Sequence, residues 1–262
     1  MAKYGVTDSV ASMTEPARAG RSSISVVIPC KNEVDNLPEL IGEIETALAG
    51  RDFEIIVVDD GSDDGTGARV EALMRERGHI RLVGHAASCG QSAAVRTGLL
   101  YARNAIVVTI DGDGQNDPAF MPALVDRLEA GGAGTALAAG QRLKRTDSGA
   151  KKLASRFANK LRGAILKDGT RDSGCGLKAI RREVFLLFPY FDGWHRYLPA
   201  LAIREGYGVT HLDVVDRNRR HGTSKYGIWD RALVGALDLI GVWWLLRRRK
   251  RVPKATEIRI DG

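Results

Sequence analysis

Short runs of β-branched and other apolar residues alternate, from residue 25 onward, with stretches whose apolar positions recur at helical spacing. Turn-forming residues bound these runs, which is typical of strands buried on both faces of a sheet. The predicted strands are Ser25–Pro29, Phe53–Asp59, Ile80–Val83 and Ala105–Ile110, followed by Thr135–Ala139, Cys175–Ile180 and Val209–Val215. The predicted helices are Asn36–Ala49, Gly65–Arg77, Gln91–Arg103, Phe120–Ala130 and Lys151–Leu166.

The repeated order of strand, helix and strand predicts parallel strands joined by right-handed crossovers. The expected fold is therefore α/β, a three-layer α/β/α domain around a mostly parallel sheet. In such sheets, ligands bind beyond the carboxyl ends of the strands. Polar and acidic residues follow three of the predicted strands, so we expect a binding site at that edge.

The two ends of the chain differ from this domain, which we expect to span residues 24–226. Residues 1–23 lack the apolar core of a signal peptide and are predicted to form a disordered tail. Residues 227–262 contain an apolar run, Ala232–Leu246, which is followed by a basic cluster and a basic tail.

The apolar run predicts an amphipathic helix at a membrane surface. It has fifteen residues and carries Asp238 near its middle, whereas a spanning helix needs about 20 apolar residues and excludes charge. Trp243 and Trp244 beside the basic cluster are typical of the headgroup region. A helix buried against the domain, and a span completed by a partner chain, are the alternatives.

Charge is distributed unevenly along the chain, which has a net charge of +7. The segment from Arg217 to Lys254 carries eleven basic residues against two acidic ones, so the rest of the chain is slightly acidic. A basic end on a near-neutral body indicates an anionic partner there, either phosphates or an anionic membrane. A solvated basic tail is the alternative, and nucleic acid is not an expected partner.

The three cysteines are Cys30, Cys89 and Cys175, with no CxxC pair and no histidine at a recognised metal-binding spacing. This pattern argues against a disulfide framework and against a zinc site, and it favours a reducing cytosolic setting.

The sequence Asp111-Gly112-Asp113 follows a predicted buried strand. Two carboxylates flanking a glycine can both face outward where a strand ends, and Gln115 offers a further oxygen. Mg²⁺ and Mn²⁺ take oxygen ligands and usually share them with substrate phosphates. A solvated turn is the alternative, since Asp and Gly are turn residues.

A second acidic segment, from Asp59-Asp60-Gly61-Ser62 to Thr66, follows another predicted strand and opens a helix. A carboxylate there can accept hydrogen bonds from ribose hydroxyls or from a base N–H. The Ser and Thr residues have a simpler explanation as helix caps, but Asp59 and Asp60 exceed what a cap requires.

Seven short motifs follow one another along the chain. They are Pro29-Cys30-Lys31-Asn32-Glu33, Val58-Asp59-Asp60-Gly61-Ser62, Gly90-Gln91-Ser92-Ala93-Ala94 with Gly98, Asp111-Gly112-Asp113-Gly114-Gln115 with Pro118, Gly140-Gln141-Arg142, Asp172-Ser173-Gly174, and Arg219-Arg220-His221-Gly222-Thr223-Ser224-Lys225. Their order and spacing resemble the family 2 glycosyltransferases of GT-A fold, over roughly residues 24 to 226. Within that family they resemble the dolichyl-phosphate mannose synthase branch and its bacterial polyprenyl-phosphate relatives. The chain departs from the pattern at Cys30-Lys31 and at Cys175, where the branch often has an aromatic residue.

The resemblance implies a role for each matching residue. The residues implied to bind the nucleotide-sugar are Pro29, Asn32, Glu33, Asp59, Asp60, Ser62, Asp111 and Gly112. A divalent metal, Mg²⁺ or Mn²⁺, is implied at Asp111, Asp113 and Gln115. The implied catalytic residues are Asp113, Asp172, Arg142, Arg219 and Lys225, and those implied to hold an acceptor phosphate are Arg142, Arg156, Arg219 and Lys225.

The implied reaction is metal-dependent, inverting sugar transfer from GDP-mannose or a UDP-sugar to a polyprenyl phosphate at the cytoplasmic face of a membrane. The phosphate monoester is largely dianionic near neutral pH, because its second pKa is about 6. It therefore needs cations to position it more than a base to deprotonate it, which leaves the role of Asp172 open. A homo-oligomer or a membrane subunit is a possible partner.

Three other functions remain open from the sequence. The first is a glycosyltransferase whose acceptor is a hydroxyl of a glycan or lipid. Such an acceptor would require a general base. A sugar nucleotidyltransferase is the second, although such enzymes usually carry a Gly-rich basic loop that Pro29–Glu33 does not provide. The third is a membrane-recruited binding subunit without turnover, against which the retained Asp111, Asp113 and Arg219 argue.

Overall fold

The computed structural model describes residues 22–143, 162–217 and 228–248. The strands in these ranges are β1 (Ile24–Cys30), β2 (Phe53–Asp59), β3 (Ile80–Gly84), β4 (Ile106–Thr109), β5 (Thr135–Arg142), β6 (Lys178–Arg181) and β7 (Gly208–Val214). The helices are α1 (Leu37–Ala47), α2 (Thr66–Glu76), α3 (Gln91–Tyr101), α4 (Met121–Ala130), α5 (Arg182–Phe185), α6 (Leu198–Arg204) and α7 (Ile228–Arg247). Short 3₁₀ turns at Pro118–Phe120 and Trp194–Arg196 precede α4 and α6.

The seven strands form one sheet in the order β3-β2-β1-β4-β6-β5-β7. Pairing is parallel between β1 and β2, β2 and β3, β1 and β4, and β5 and β7. Strand β6 is antiparallel to both of its neighbours, β4 and β5. The predicted mostly parallel sheet is therefore confirmed, and the start of β6 lies at the edge where β4 and β5 end.

Helices cover both faces of the sheet because alternate strand residues are apolar on each side. One core joins α1, α2 and α4 to strand residues such as Val26 and Ile28. The other joins α3, α5 and α6 to strand residues such as Val27 and Ile56. These two cores make the predicted three-layer α/β/α arrangement.

The sixth strand begins later than predicted, at Lys178 rather than Cys175. The residues before it make contacts other than the ladder hydrogen bonds of a strand. The backbone N–H of Gly174 donates to the Asp172 carboxylate, and the Thr109 hydroxyl donates to the carbonyl of Gly176. Of the predicted helix Lys151–Leu166, residues 162–166 are helical and the rest lies outside the described residues, as do residues 1–21.

Helix α7 packs one side against the domain. A small apolar cluster contains Val242 of α7 together with Leu166, Tyr197 and Ala200. The described residues contain no helix that is both long enough and apolar enough to cross a bilayer.

Helix α3 approaches the sheet closely at Gly98, where a Cβ would lie 2.2 Å from Cγ1 of Val27. We expect Gly98→Ala to lower the free energy of unfolding by about 1–3 kcal/mol, because added volume in a packed core forces its surroundings apart. Chemical denaturation followed by circular dichroism measures this change.

The matched control is Gly42→Ala in α1, where a Cβ meets nothing within 4 Å. This variant should be more stable than the parent by about 0.5–1 kcal/mol, since alanine favours a helix over glycine. Equal effects of the two substitutions would contradict the close packing of α3 on β1.

Candidate active site

The loops that follow β1, β2 and β4 meet at one edge of the sheet. Parallel register places Cys30 opposite Asp59, and the N–H of Asp60 donates to the carbonyl of Cys30 at 2.9 Å. From β4, the N–H of Gly112 donates to the carbonyl of Pro29 at 3.3 Å. The predicted site at the carboxyl ends of the strands is thus assembled by main-chain contacts.

Asn32 locks the loop after β1 to the loop after β2. Its backbone is left-handed, with φ of 59°, a conformation that asparagine tolerates better than most residues. Its N–H donates to the Ser62 hydroxyl at 2.9 Å, and its side-chain amide exchanges two hydrogen bonds with Asp63. The structure therefore gives Asn32 and Ser62 contacts that shape the loops.

Asp59 and Asp60 have different surroundings although they are adjacent. Asp59 is half-buried and accepts hydrogen bonds from the N–H and the hydroxyl of Ser62. Asp60 is buried and accepts from the hydroxyl of Ser88 and the N–H groups of Cys89 and Gly90, each at 2.7–2.8 Å.

The donors around Asp60 come from the loop after β3, residues 85–90, which the sequence analysis did not assign to the site. Burial alone would raise the pKa of Asp60, but hydrogen bonds from Cys89, His85, Ser88 and Gly90 lower it below its usual value. Asp60 is therefore a fixed anion at the floor of the site. The motif that begins at Gly90 was the sequence signal for the end of this loop, and the structure gives Gly90 a positive backbone φ of 88°.

Asp111 lies in a recess that glycine creates. A Cβ on Gly176 would lie 2.4 Å from each oxygen of the Asp111 carboxylate, so no larger residue fits at 176 without moving it. The side-chain amide of Gln91, at the start of α3, donates to Asp111 at 2.7 Å. Gln91 and Gly176 are thus site residues that the sequence analysis did not identify as such.

The pKa of Asp111 is raised to about 6, first by burial and then by the charge of Asp113. Asp111 and Asp113, two carboxylates in one loop, form an all-oxygen donor set for a hard divalent cation. In the same loop the side-chain oxygen of Asn116 is buried without a hydrogen-bond donor. These oxygen atoms fit the predicted Mg²⁺ or Mn²⁺. Gln115, also predicted as a metal ligand, contacts Asp113 through its backbone N–H, which donates to that carboxylate at 3.1 Å.

A cleft of about 230 Å³ opens between these loops. Its walls bring together most of the residues predicted to bind a nucleotide-sugar and a metal, whereas Asn32, Asp59, Ser62 and Gln115 lie outside the lining. The lining residues are Pro29, Cys30, Lys31, Glu33, Asp60, Ser88, Gly90, Gln91, Ala94, Asp111, Gly112 and Asp113.

Arg142, at the end of β5, is held by two carboxylates. Its Nε and one terminal nitrogen donate to the two oxygens of Asp172, at 2.5 and 2.9 Å, and the other terminal nitrogen lies 3.3 Å from Asp216. The bidentate pair lowers the pKa of Asp172 despite burial. Arg142 and Asp172, predicted separately, are thus brought together as one ion pair.

Asp216 lies at the site, although no sequence motif pointed to it. It accepts a hydrogen bond from the side-chain amide of Asn116 at 3.0 Å, and the next residue, Arg217, donates from its N–H to the carbonyl of Gln115. The end of β7 thereby braces the loop that carries the carboxylate pair.

Lys178 is a cation near the site that was not predicted from the sequence. It is buried at the start of β6, and its ammonium donates to the carbonyl of Cys175. Burial lowers its pKa, while the charges of Asp111 and Asp172 act in the opposite direction. The remaining predicted cations, Arg156, Arg219 and Lys225, lie outside the described residues.

A family model described as Glycosyl transferase family 2 matches residues 25–187. Among curated relatives, the dodecaprenyl-phosphate galacturonate synthase of Rhizobium johnstonii is 32% identical over 87% of this chain and 68% of its own. The undecaprenyl-phosphate 4-deoxy-4-formamido-L-arabinose transferase of Klebsiella pneumoniae is 34% identical over 78% of this chain. This chain spans only 62% of that transferase, less than two thirds of its length.

Solved structures of similar fold include glucosyl-3-phosphoglycerate synthase from Mycobacterium tuberculosis. Its complex with Mn²⁺, UDP-glucose and glycerol 3-phosphate has a TM-score of 0.65 and 23% identity, covering 87% of this chain and 80% of its own. Its complex with Mg²⁺ and UDP has a TM-score of 0.64 and 24% identity, covering 87% and 79%. At this identity the likeness establishes the fold, which agrees with the predicted GT-A class.

Substituting Gly176 tests the recess under Asp111. We expect Gly176→Ala to lower catalytic activity about 100-fold, because a displacement of about 1 Å at a reacting site has that order of effect. Initial rates at saturating Mn²⁺, together with Mn²⁺ binding followed by electron paramagnetic resonance, give the two readouts. Gly84→Ala, where a Cβ meets nothing within 4 Å, should leave both unchanged.

The raised pKa of Asp111 predicts how Mn²⁺ binding depends on pH. Below about pH 6 the metal-free carboxyl is protonated, and that proton must leave before a cation binds. The apparent Mn²⁺ affinity should therefore fall about tenfold for each pH unit below that point, as expected for one linked proton. An affinity that is constant from pH 7 to pH 5 would contradict this account.

The same shift has a consequence for stability in the absence of metal. A carboxyl whose pKa is raised by folding makes the folded state less stable as the pH rises through the range from its ordinary value to about 6. In EDTA at pH 7.5, Asp111→Asn should therefore raise the melting temperature, and the difference should vanish below about pH 4.

Proposed function

This chain belongs to glycosyl transferase family 2, and on that basis we propose that it transfers a sugar from a nucleotide-sugar to a polyprenyl phosphate, with inversion at the anomeric carbon. The relatives whose names specify a polyprenyl-phosphate product or acceptor are 32–34% identical to it. The observation that carries the proposal is the cleft in which Asp60, Asp111 and Asp113 converge.

The donor is proposed to lie in this cleft, against the ends of β1, β2 and β4. Glu33 and the fixed anion Asp60 line the part suited to hydrogen-bond donors of a base or ribose. Asp111 and Asp113 would hold Mg²⁺ or Mn²⁺ beside the diphosphate, where it neutralises charge that develops on the leaving nucleoside diphosphate. Gln91 and Gly176 hold Asp111 in position for this role.

The acceptor is proposed to be a phosphate because Asp172 is poorly placed to act as a general base. Its two oxygens are engaged by Arg142, and its pKa is lowered. A base for a hydroxyl acceptor works best when its pKa lies near the working pH, whereas a phosphate monoester already carries its nucleophilic charge. We infer that Asp172 holds Arg142 on the acceptor side of the site, together with the predicted cations Arg156, Arg219 and Lys225.

Helix α7 is proposed to lie on the membrane surface. Leu237, Ile240 and Trp244 are 61%, 62% and 55% exposed, and their spacing places them on one side of the helix. The guanidinium of Arg248 lies 5.3 Å from the ring of Trp244, a pairing of aromatic and cation suited to lipid headgroups.

Asp238, which would be costly in a bilayer, lies on the opposite side of α7. One of its oxygens is 2.7 Å from the position of a Cβ on Gly193, so the carboxylate is seated against the domain. The side of α7 that faces away from the domain is therefore apolar around Leu237 and Ile240. The cysteine usage supports placing this surface at the cytoplasmic face.

Transfer from a panel of radiolabelled GDP- and UDP-sugars to polyprenyl phosphate in detergent tests the function. We expect one donor to yield a lipid product that is labile to mild acid, in Mn²⁺ or Mg²⁺ but not in EDTA. Asp113→Ala should lower the rate at least about 100-fold, because it removes charge stabilisation from the transition state.

Transfer to a glycan or lipid hydroxyl by the same protein, with no product on polyprenyl phosphate, would instead favour the hydroxyl acceptor. Binding of the nucleotide-sugar without any transfer would favour a binding subunit. Either result would overturn the proposed function.

Sedimentation with vesicles containing anionic lipid tests the surface of α7. The double variant Leu237→Gln/Ile240→Gln should bind vesicles at least about tenfold more weakly, since it removes apolar area worth about 25 cal/mol per Å². The control is Leu186→Gln/Leu187→Gln, which alters two exposed leucines elsewhere on the protein. Equal losses in the two double variants would count against a specific role for α7.

A further inference from the structure

A second group of metal-ligand side chains lies beside the carboxylate pair. Among the described residues, Asp60, His85 and Cys89 bring an oxygen, a nitrogen and a sulfur atom within 4.8 Å of one another. We propose that these three side chains form a zinc-binding site that shares Asp60 with the wall of the cleft and is distinct from the site at Asp111 and Asp113. The sequence concealed it because Asp60 and His85 are 25 residues apart.

The backbone that carries these residues is well fixed. Asp60 directly follows β2 and His85 directly follows β3, and these strands are paired in parallel with Asp59 opposite Gly84. The N–H of His85 donates to the carbonyl of Asp59 at 2.9 Å. For all three atoms to converge on a cation, the exposed side chain of Cys89 has to turn from the carbonyl of Ala87, to which its thiol donates at 3.4 Å. The Asp60 carboxylate has to shift from its place 2.8 Å from Nδ1 of His85.

The His85 ring is held in an orientation that suits ligation through Nδ1. Its Nδ1 lies 2.8 Å from Asp60, and its Nε2 lies 2.9 Å from the hydroxyl of Thr97. When Nδ1 binds metal, the single proton of the neutral ring moves to Nε2, where Thr97 accepts it. Histidines that bind metals usually donate from their other nitrogen in this way.

The donor set determines which cation binds. Nitrogen, sulfur and oxygen together suit Zn²⁺, which prefers four ligands, whereas Mg²⁺ and Mn²⁺ prefer the all-oxygen set of Asp111 and Asp113. The Cys89 thiol loses its proton to solvent as it binds, and Asp60 is already an anion. Three protein ligands leave a fourth position for water.

Zinc at this site should interfere with the donor. Ser88 and Gly90 donate to the oxygens of Asp60, and all three residues line the cleft. Ligation of Asp60 would draw its carboxylate away from these donors and alter that wall. This consequence rests on the proposed function, whereas the metal site itself does not.

Titration with Cd²⁺ tests the site directly, because a cadmium–thiolate bond has an ultraviolet charge-transfer absorption. We expect saturation at one equivalent in protein without a histidine tag, with excess Mg²⁺ present. Cys89→Ser should abolish the band, and Thr97→Val should weaken binding about 10–100-fold, as is usual when the partner of a ligating histidine is removed. The matched thiol control is Cys175→Ala, which removes a buried cysteine and should retain the band.

Alkylation provides a readout that does not depend on the Cys89 variant. Zn²⁺ should protect Cys89 of the parent protein from iodoacetamide, as followed by mass spectrometry, and His85→Gln should remove that protection. Absence of a saturable band, a band that survives in Cys89→Ser, or no protection by Zn²⁺ would each overturn the proposed site.

Transfer assays then examine the consequence for the donor. Added Zn²⁺ should raise the apparent KM for the nucleotide-sugar in the parent and not in Cys89→Ser, whose side chain is outside the cleft lining. Equal inhibition of both proteins would overturn the assigned site of inhibition. If no donor supports transfer, the proposed function fails, and the Cd²⁺ and alkylation results still decide the zinc site.

Discussion

Mutual repulsion among carboxylates is the constraint on which the site depends. Parallel strands bring Asp59, Asp60 and Asp111 to one edge of the sheet. Asp172, which precedes β6, and Asp216, which follows β7, lie at the same edge. Each charge is handled by different means. Hydrogen bonds from a loop stabilise Asp60, an arginine fork holds Asp172, and Asp111 is left with a raised pKa. Asp111 is thus the carboxylate whose charge the protein offsets least, so a cation bound there would be the most stabilising.

The raised pKa of Asp111 lowers the stability of the metal-free protein at neutral pH. A buried carboxyl that is costly to ionise disfavours the folded state without metal and favours it once a cation binds. Lys178 and Arg142 limit this cost, since both contribute positive charge near Asp111. Protein groups therefore offset the charge of Asp111 only in part, and its pKa stays raised. Perturbed pKa values of this kind are common at functional sites.

The sequence predicted the sheet and the edge used for binding because strand periodicity and turn residues are local signals. It also predicted site roles for Asp60, Asp111, Asp113 and Arg142, which the structure places near that edge. It missed Gln91, Gly176 and Asp216 because their roles come from contacts across the fold, such as the 2.7 Å hydrogen bond from Gln91 to Asp111. The late start of β6 was not predicted for the same reason. The apolar residues Cys175 and Leu177 are typical of a strand, but β6 begins only at Lys178.

The reversal of β6 separates the two halves of the site along the chain. Asp60, Asp111 and the cleft depend on strands that end at the shared edge, whereas Asp172 and Gly176 precede a strand that begins there. The described part of the stretch between β5 and β6 contributes no residue to the pairing of β1, β2 and β4, although its Gly176 lies against the Asp111 carboxylate. Under the proposed function, Arg142 and Asp172, which are assigned to the acceptor side, therefore lie apart from the strands that carry the residues assigned to the donor.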